Sequence, residues 1–417
     1  MNARAIPAAI AVVYLAGCSS SPSNDRSPAP SAALAPPAWT LKVEPLALPV
    51  GTRSTEPQMT VSSRGVLLSW VEPAAKTASL KFAERTPSGW SEARQVASGS
   101  NWFLSYADMP TVMRMRDGTL VSNWYLTTNI LAEGYDILLA YSKDGGKTWS
   151  RPQKPHRDKT KTQHGFVSMF EPPGGGLGLV WLDARDQENN TTDPEGGSIG
   201  LYAASFDASW KQTGETVINP RVCECCSTAA AATDEGVVTA FRDRSEKEIR
   251  DIAVSRLEGG KWTAAKTVHD DNWEVDSCPV NGPAISAHGP QVAVAWFNAK
   301  DDKGRSFAAF SSDAGRTWGQ PIALEDKVSR GYVDIELLDD GSAVASWVEF
   351  DGGRSQFKVR RVEPSGARSA SITIADGEAG VIGYPRVARS GEELVFAWTE
   401  GKDEEAQHVK GAVARVR

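Results

Sequence analysis

Long apolar runs are scarce in this 417-residue chain. After residue 17 no segment is apolar enough to span a bilayer. Stretches of helical periodicity are missing as well, which excludes a helix bundle and predicts almost no helix. Positive charge is in deficit, with 45 Lys and Arg against 52 Asp and Glu. That balance gives no footprint for nucleic acid or for an anionic membrane surface. Cysteine is rare, five residues in all, so a disulfide-dense scaffold is excluded and a large core must carry the fold.

What the chain has is a repeat. Seven short apolar runs end in an aromatic residue: Val66 to Trp70, Leu120 to Trp124, Leu177 to Trp181, Val237 to Phe241, Val292 to Trp296, Ala343 to Trp347 and Leu394 to Trp398. Each follows a turn rich in Gly, Asp or Glu, such as Arg116-Asp117-Gly118. Their spacing of roughly 50–60 residues is a period at which self-similarity signals propellers and solenoids. In the second unit, Met109 to Met115, Thr119 to Leu126 and Tyr135 to Ser142 read as three antiparallel strands, and Trp149 begins a fourth. Four strands per unit is a propeller blade, so the expectation is an all-β propeller of seven four-stranded blades. The last unit, from Tyr384, has room for three strands only. The segment Trp39 to Pro49 is predicted to supply its fourth and close the ring, which removes free sheet edges.

The turn before the fourth strand carries a sharper signature. Ser142, Asp144, Gly146, Thr148 and Trp149 fit S-x-D-x-G-x-T-W, as do Ser311, Asp313, Gly315, Thr317 and Trp318. The Asp accepts turn N–H groups, the Gly permits positive φ, and the Trp packs between blades. Gly89-Trp90, Ser209-Trp210 and Lys261-Trp262 keep only the aromatic anchor. This motif is the Asp-box, or BNR, repeat, and residues 39–417 resemble the sialidase (neuraminidase) superfamily of propellers. The resemblance implies a six-bladed catalytic domain as the alternative to seven blades.

The N-terminus reads as an address. Arg4 precedes a short apolar stretch, Ile6 to Tyr14, and Leu15-Ala16-Gly17-Cys18 resembles a bacterial lipobox. Residues 1–17 are then a signal peptide, and Cys18 takes the diacylglycerol and fatty acyl (palmitate-type) chains. Residues 18–38 are a flexible Ser/Pro/Ala linker. Ser19 suits outer-membrane sorting by resemblance to bacterial lipoproteins. The expected product is a monomeric envelope protein, anchored in the outer membrane and facing the periplasm or the surface.

Polar residues gather where loops should converge on the axis of a propeller's upper face. Asp183, Arg185 and Asp186 leave the third blade, and Arg242, Asp243 and Arg244 leave the fourth, followed by Glu248, Arg250 and Asp251. Tyr106 and Asp108 precede the second blade, His164 the third, Arg330 and Tyr332 the sixth, and Tyr384 and Arg386 the seventh. Arginines among carboxylates and tyrosines suit a sugar or a carboxylate ligand. They also suit inter-blade ion pairing.

The cysteines Cys223, Cys225 and Cys226 enter the fourth blade and Cys278 the fifth, which should bring them together. In an oxidising envelope the even count favours two disulfides. The alternative is a thiolate site for copper or zinc, with His164 or Glu224 nearby. No cofactor is required by the sequence.

Two functions follow. The first is an envelope lipoprotein whose axial face binds a glycan, an envelope protein or a metal. The second is an exo-sialidase-like glycoside hydrolase acting on terminal acidic sugars. In it Arg185, Arg242 and Arg386 would grip the substrate carboxylate and a tyrosine, Tyr332 or Tyr384, or a carboxylate would be the nucleophile, with Asp183 and Asp243 among the catalytic candidates. The sialidase resemblance implies an Arg-Ile-Pro element as well, and the sequence has none. That absence and the seven-unit count favour binding.

Overall fold

The computed structural model describes residues 39–129, 134–189, 198–403 and 405–416. The signal peptide, Cys18 and the linker of the sequence reading lie outside the described residues. Among the described residues no helix is long and apolar enough to cross a membrane.

The chain forms a ring of seven four-stranded blades. Blade 6 shows the local logic. Its inner strand, Val328–Leu337, alternates exposed and buried residues with a period of two. Its second strand, Ala343–Asp351, is buried through Glu349. A blade has a neighbour on both faces, so its second strand touches no solvent on either side, and alternation gives way to a continuous apolar run. The seven runs of the sequence are these strands. Asp339-Asp340-Gly341 makes the turn between the first two, with Gly341 at φ 81° and the Asp340 carboxylate accepting the Ser342 N–H at 3.0 Å.

Blade 7 closes as predicted. Glu44–Pro45 pairs with His408–Arg415 as its outermost strand, Glu44 opposite Val413. Proline sits well there because an edge strand has N–H groups it need not pair. Trp39 is buried in the core between blades 6 and 7. The Arg85 guanidinium spans the seam to Glu393 in bidentate fashion, at 2.7 and 2.8 Å. Blade 2 departs from expectation. Its fourth strand shrinks to the reciprocal backbone bonds between Leu139 and Gln153, and its inner strand to Thr111–Arg114, after Pro110. The only α-helix among the described residues is Arg185–Asn189.

Both S-x-D-x-G-x-T-W turns fold alike. Ser142 donates to Asp144 and accepts the Gly146 N–H, while Asp144 accepts the Thr148 N–H and hydroxyl. Ser311, Asp313, Gly315 and Thr317 repeat the pattern. Each anchor Trp packs on the preceding blade: Trp149 on Phe82, Trp210 on Tyr141, Trp262 on Phe170, and Trp318 beside Val238 and Ala240.

A second repeat escaped the sequence reading. The tryptophan that ends the second strand donates its indole N–H to an acid two residues on: Trp70 to Glu72, Trp181 to Asp183, Trp347 to Glu349 and Trp398 to Glu400. Trp296 uses Asp271 instead. A buried indole needs an acceptor, and the acid supplies it at the upper rim.

Ring closure sets the first prediction. Trp39 is 7% exposed, and Trp39→Ala should cost about 3–5 kcal/mol in urea unfolding, as for other buried aromatic truncations. A loss under 1 kcal/mol would mean the closing segment contributes little to stability.

Candidate functional site

The inner strands leave an axial channel of about 240 Å³, lined by Gln58, Thr111, Ser168, Ile285, Asp334 and Arg386 among others. Arg386 donates to Gln58 at 2.8 Å across the blade 7–blade 1 seam. Glu336 keeps some solvent contact but lies deep, and burial together with the Asp334 charge raises its pKa to about 8. Asp108 is pushed up to about 6 by burial. It accepts the Tyr135 hydroxyl at 2.7 Å and the Phe166 N–H at 2.8 Å. Phe166 has a φ of 56° inside a bulge of blade 3, and the Asp108 side chain from blade 2 holds that strained amide. Asn281 does the same for the Tyr332 N–H, at φ 52° in blade 6.

At the mouth stands an aromatic group. Tyr332 and Tyr384 lie 4.1 Å apart by ring centroids, and Tyr106 lies 6.4 Å from Tyr384. Tyr106 is 56% exposed. Tyr384 is buried and donates its hydroxyl to the Val280 carbonyl, and burial holds its pKa well above the ordinary tyrosine value. Arg330 is exposed beside them. Arg330 and Tyr332 line two cavities, one of about 240 Å³ with Tyr106 and Tyr384, the other of about 770 Å³ with Trp273 and Lys300.

The other candidate arginines are committed elsewhere. Arg242 is 1% exposed and donates to the carbonyls of Asn281, Arg250 and Phe297, with its guanidinium over Trp273. Arg185 binds Asp183 and Glu215 and lies 4.1 Å over the Tyr202 ring. Arg244 and Arg250 share Glu248 and Glu224, and Arg221 joins at Glu248. Asp243 accepts from Asn219, Asp186 from Tyr202, and Asp251 from the Asn272 and Trp273 amides. The Arg330 side chain makes no hydrogen bond or ion pair with a described residue. Arg185, Arg242 and Arg386 thus have separate partner sets rather than a shared target.

His164 points away from the cysteines. Its Nδ1 is bonded to the Thr162 and Tyr135 carbonyls and its Nε2 to Asp158. The His156 ring stacks on it at 3.8 Å. Asp136, Asp158, Asp183 and Glu215 face Lys154, Arg157 and Arg185 as permanent cations. Burial opposes a charge on His164. The bond to Asp158 and the charges of Asp183, Asp158 and Asp136 outweigh it and raise the His164 pKa. His156, Asp136, Asp158 and Glu215 were missed in the sequence. The available signal was Pro155-His156-Arg157-Asp158, a charged loop at the lead-in to the third blade.

The four cysteines do gather, but the expected disulfides are absent: all four are free. Cys223 Sγ lies 3.2 Å from Cys226 Sγ and 3.9 Å from Cys225 Sγ, beyond the ~2.05 Å of an S–S bond. Arg250 Nη1 approaches Cys223 Sγ at 3.4 Å. Hydrogen bonds from the Cys225 and Cys226 thiols, aided by the Arg242 charge, hold Cys223 far below the ordinary thiol pKa. Cys278 is exposed and interacts with Cys225.

No protein-family model and no curated protein matches this chain. Solved structures share the fold. Polysaccharide lyase Uly1 is 10% identical over 87% of this chain and 90% of that one, with a TM-score of 0.53. The GH93 α-L-arabinofuranosidase of Fusarium graminearum, complexed with arabinobiose, is 13% identical over 76% and 95%, with a TM-score of 0.50. The K499G mutant of NanB sialidase from Streptococcus pneumoniae is 10% identical over 84% and 83%, with a TM-score of 0.45. At these identities the likeness is one of fold.

The raised His164 pKa fixes the sign of a pH effect. Its stabilising charge is fully present below the unfolded-state value of about 6.5 and is lost as pH rises through the higher folded value. The stability gap between wild type and His164→Gln, measured by urea unfolding across pH, should therefore be largest in acid and narrow in alkali. A gap that widens with pH would contradict the charge assignment.

Proposed function

We propose that this chain is a binding propeller that takes an acidic saccharide at its axial mouth. The reading rests on Arg330, an exposed guanidinium without a carboxylate partner among the described residues, set beside three tyrosines and between two cavities. Tyrosine faces stack on the apolar faces of sugar rings, and a free guanidinium grips a carboxylate in bidentate fashion. Concave sites with aromatic walls and a few polar groups are where small ligands bind. The lyase and the arabinofuranosidase that share the fold are named for work on saccharides, which is supporting analogy.

The hydrolase reading is weaker. It asks Arg185 and Arg242 to leave Asp183, Glu215 and three backbone carbonyls in order to meet a substrate. It also asks a tyrosine to be a nucleophile, whereas burial raises the pKa of Tyr384. The two matching serine–aspartate turns are read as Asp-boxes that brace the opposite rim.

Calorimetric titration with uronic- or sialic-acid oligosaccharides tests the proposal. Arg330→Ala and Tyr106→Ala should each weaken binding by about tenfold or more, the loss of one charge-assisted pair or one stacking face. Unchanged affinity in both variants would overturn it, as would steady release of sugar from an aryl sialoside.

The chain is further proposed to reach the envelope through a lipid on Cys18. Cys18→Ser should move it from the membrane to the soluble fraction. Retention in the membrane would refute the anchor.

A further inference from the structure

We propose that Cys223, Cys225 and Cys226 bind one monovalent copper ion at the mouth of the ring, with Cys278 as the solvent-side thiol through which the ion enters. The sulfurs adjoin the tyrosines of the saccharide reading, Cys225 and Cys278 acting on Tyr106 and Cys226 on Tyr384, but the proposal does not depend on that reading.

Geometry comes first. The three Sγ atoms all lie within 4.8 Å of one another, and Cys223 Sγ stands 3.2 Å from Cys226 Sγ and 3.9 Å from Cys225 Sγ. Three sulfurs placed about 2.3 Å from a common ion stand roughly 3.8–4.0 Å apart. The Cys223–Cys225 separation already has that size, and the Cys223–Cys226 pair would have to open by about 0.6 Å to admit an ion. The cluster is also held in place. The Cys223 N–H donates to the Arg242 carbonyl at 3.0 Å, Val222 bridges Asp243, and Gln163 of the preceding blade donates to the Glu224 carbonyl at 3.1 Å. Cys223 and Cys226 are 1% exposed, so two of the three donors are fixed in the core.

Donor chemistry comes second. The nearest hard ligand, the Glu224 carboxylate, is held by Arg250 at 3.0 Å and Arg244 at 3.4 Å. His164 is turned into blade 3. Only sulfur remains, and an all-thiolate, three-coordinate site selects monovalent copper over harder ions.

Charge comes third. Glu224 and Glu248 face Arg221, Arg244 and Arg250, and Arg242 adds a fourth guanidinium whose partners are carbonyls alone. Asp251 shares the Arg242 charge, but the Arg242 and Arg250 guanidiniums both act directly on Cys223. Buried negative charge is costly without a counter-charge, and these two cations are placed to meet the charge of the ligating thiolates. Each thiol that ligates releases its proton to solvent.

The test uses reduced, metal-free full-length protein, kept anaerobic and given Cu(I) alone in competition with a chromogenic Cu(I) chelator. X-ray absorption on the loaded sample counts the ligands. The expected result is one copper per chain with three sulfur neighbours. Cys225→Ser and Cys226→Ser should each weaken retention by about 100-fold, since each removes one of three soft donors. Cys278→Ser should keep the stoichiometry and slow loading. Cys225 is only half-buried, so its variant remains informative if Cys226→Ser fails to fold. Arg330→Ala should leave copper binding unchanged, which separates this site from the saccharide site. Four free thiols with no retained copper would overturn the proposal. So would disulfides in protein isolated from its own compartment, equal affinity in wild type and Cys225→Ser, or stoichiometric zinc with no preference for Cu(I).

Discussion

A blade has two apolar faces, and each must be covered by another blade. The rest of the structure depends on that constraint. It makes the second strand of each unit almost wholly buried, as at Ala343–Asp351 and Leu177–Asp183. It places a large aromatic at the end of the apolar run, fully buried at Trp70, Trp181 and Trp347. The indole N–H then has to be satisfied in a dry place, and an acid two residues further on does so in four blades. A packing requirement thus generates a ring of carboxylates at the upper rim. Asp183 belongs to that set before it belongs to any site.

The same constraint explains how the seams are sealed. Apolar facing is supplemented by ion pairs between blades, such as Arg114 with Glu84 and Arg389 with Asp339. Arg114 is almost fully buried and makes two bonds to its partner, so breaking that pair leaves a charge stranded in the core. On the upper side the charged loops mostly satisfy one another. That mutual satisfaction makes the exceptions informative: Arg330 in the open, Arg242 in the dark and Arg386 at the channel form no ion pair with a carboxylate among the described residues.

The architecture was legible because it is written locally. Seven apolar runs, two complete turn motifs and a three-stranded last unit are all readable from neighbouring residues, and blade count and ring closure follow from them. Trp39 to Pro49 was readable because an orphan strand and an incomplete blade imply each other. The site was less legible because its geometry is set by residues far apart in the chain. Nothing in Arg242-Asp243-Arg244 says that the first arginine turns inward to three carbonyls while the last stays in an ionic cluster. His164 is a lone histidine in the sequence, and its stacking on His156 and its bond to Asp158 arise only when the lead-in to blade 3 folds back. The cysteines were half legible. Their meeting followed from neighbouring blade positions, but their bonding state turns on fractions of an ångström.

Joining the two ends of the chain in one blade also sets an order of events. Thr55 bonds Gln407 across 352 residues of sequence, and the Glu44–Pro45 strand waits for a partner near the last residues. During synthesis the first blade emerges with an uncovered face, and its closing partner is made about 350 residues later. Contacts that span so much chain form late and leave an open edge exposed meanwhile. Translation therefore exposes a hydrophobic flank that only the strands of blade 7 cover. A chain interrupted before Arg386–Ser390 and Glu393–Glu400 would leave the blade 1 flank at Val66, Leu68 and Trp70 uncovered and open to aggregation or proteolysis.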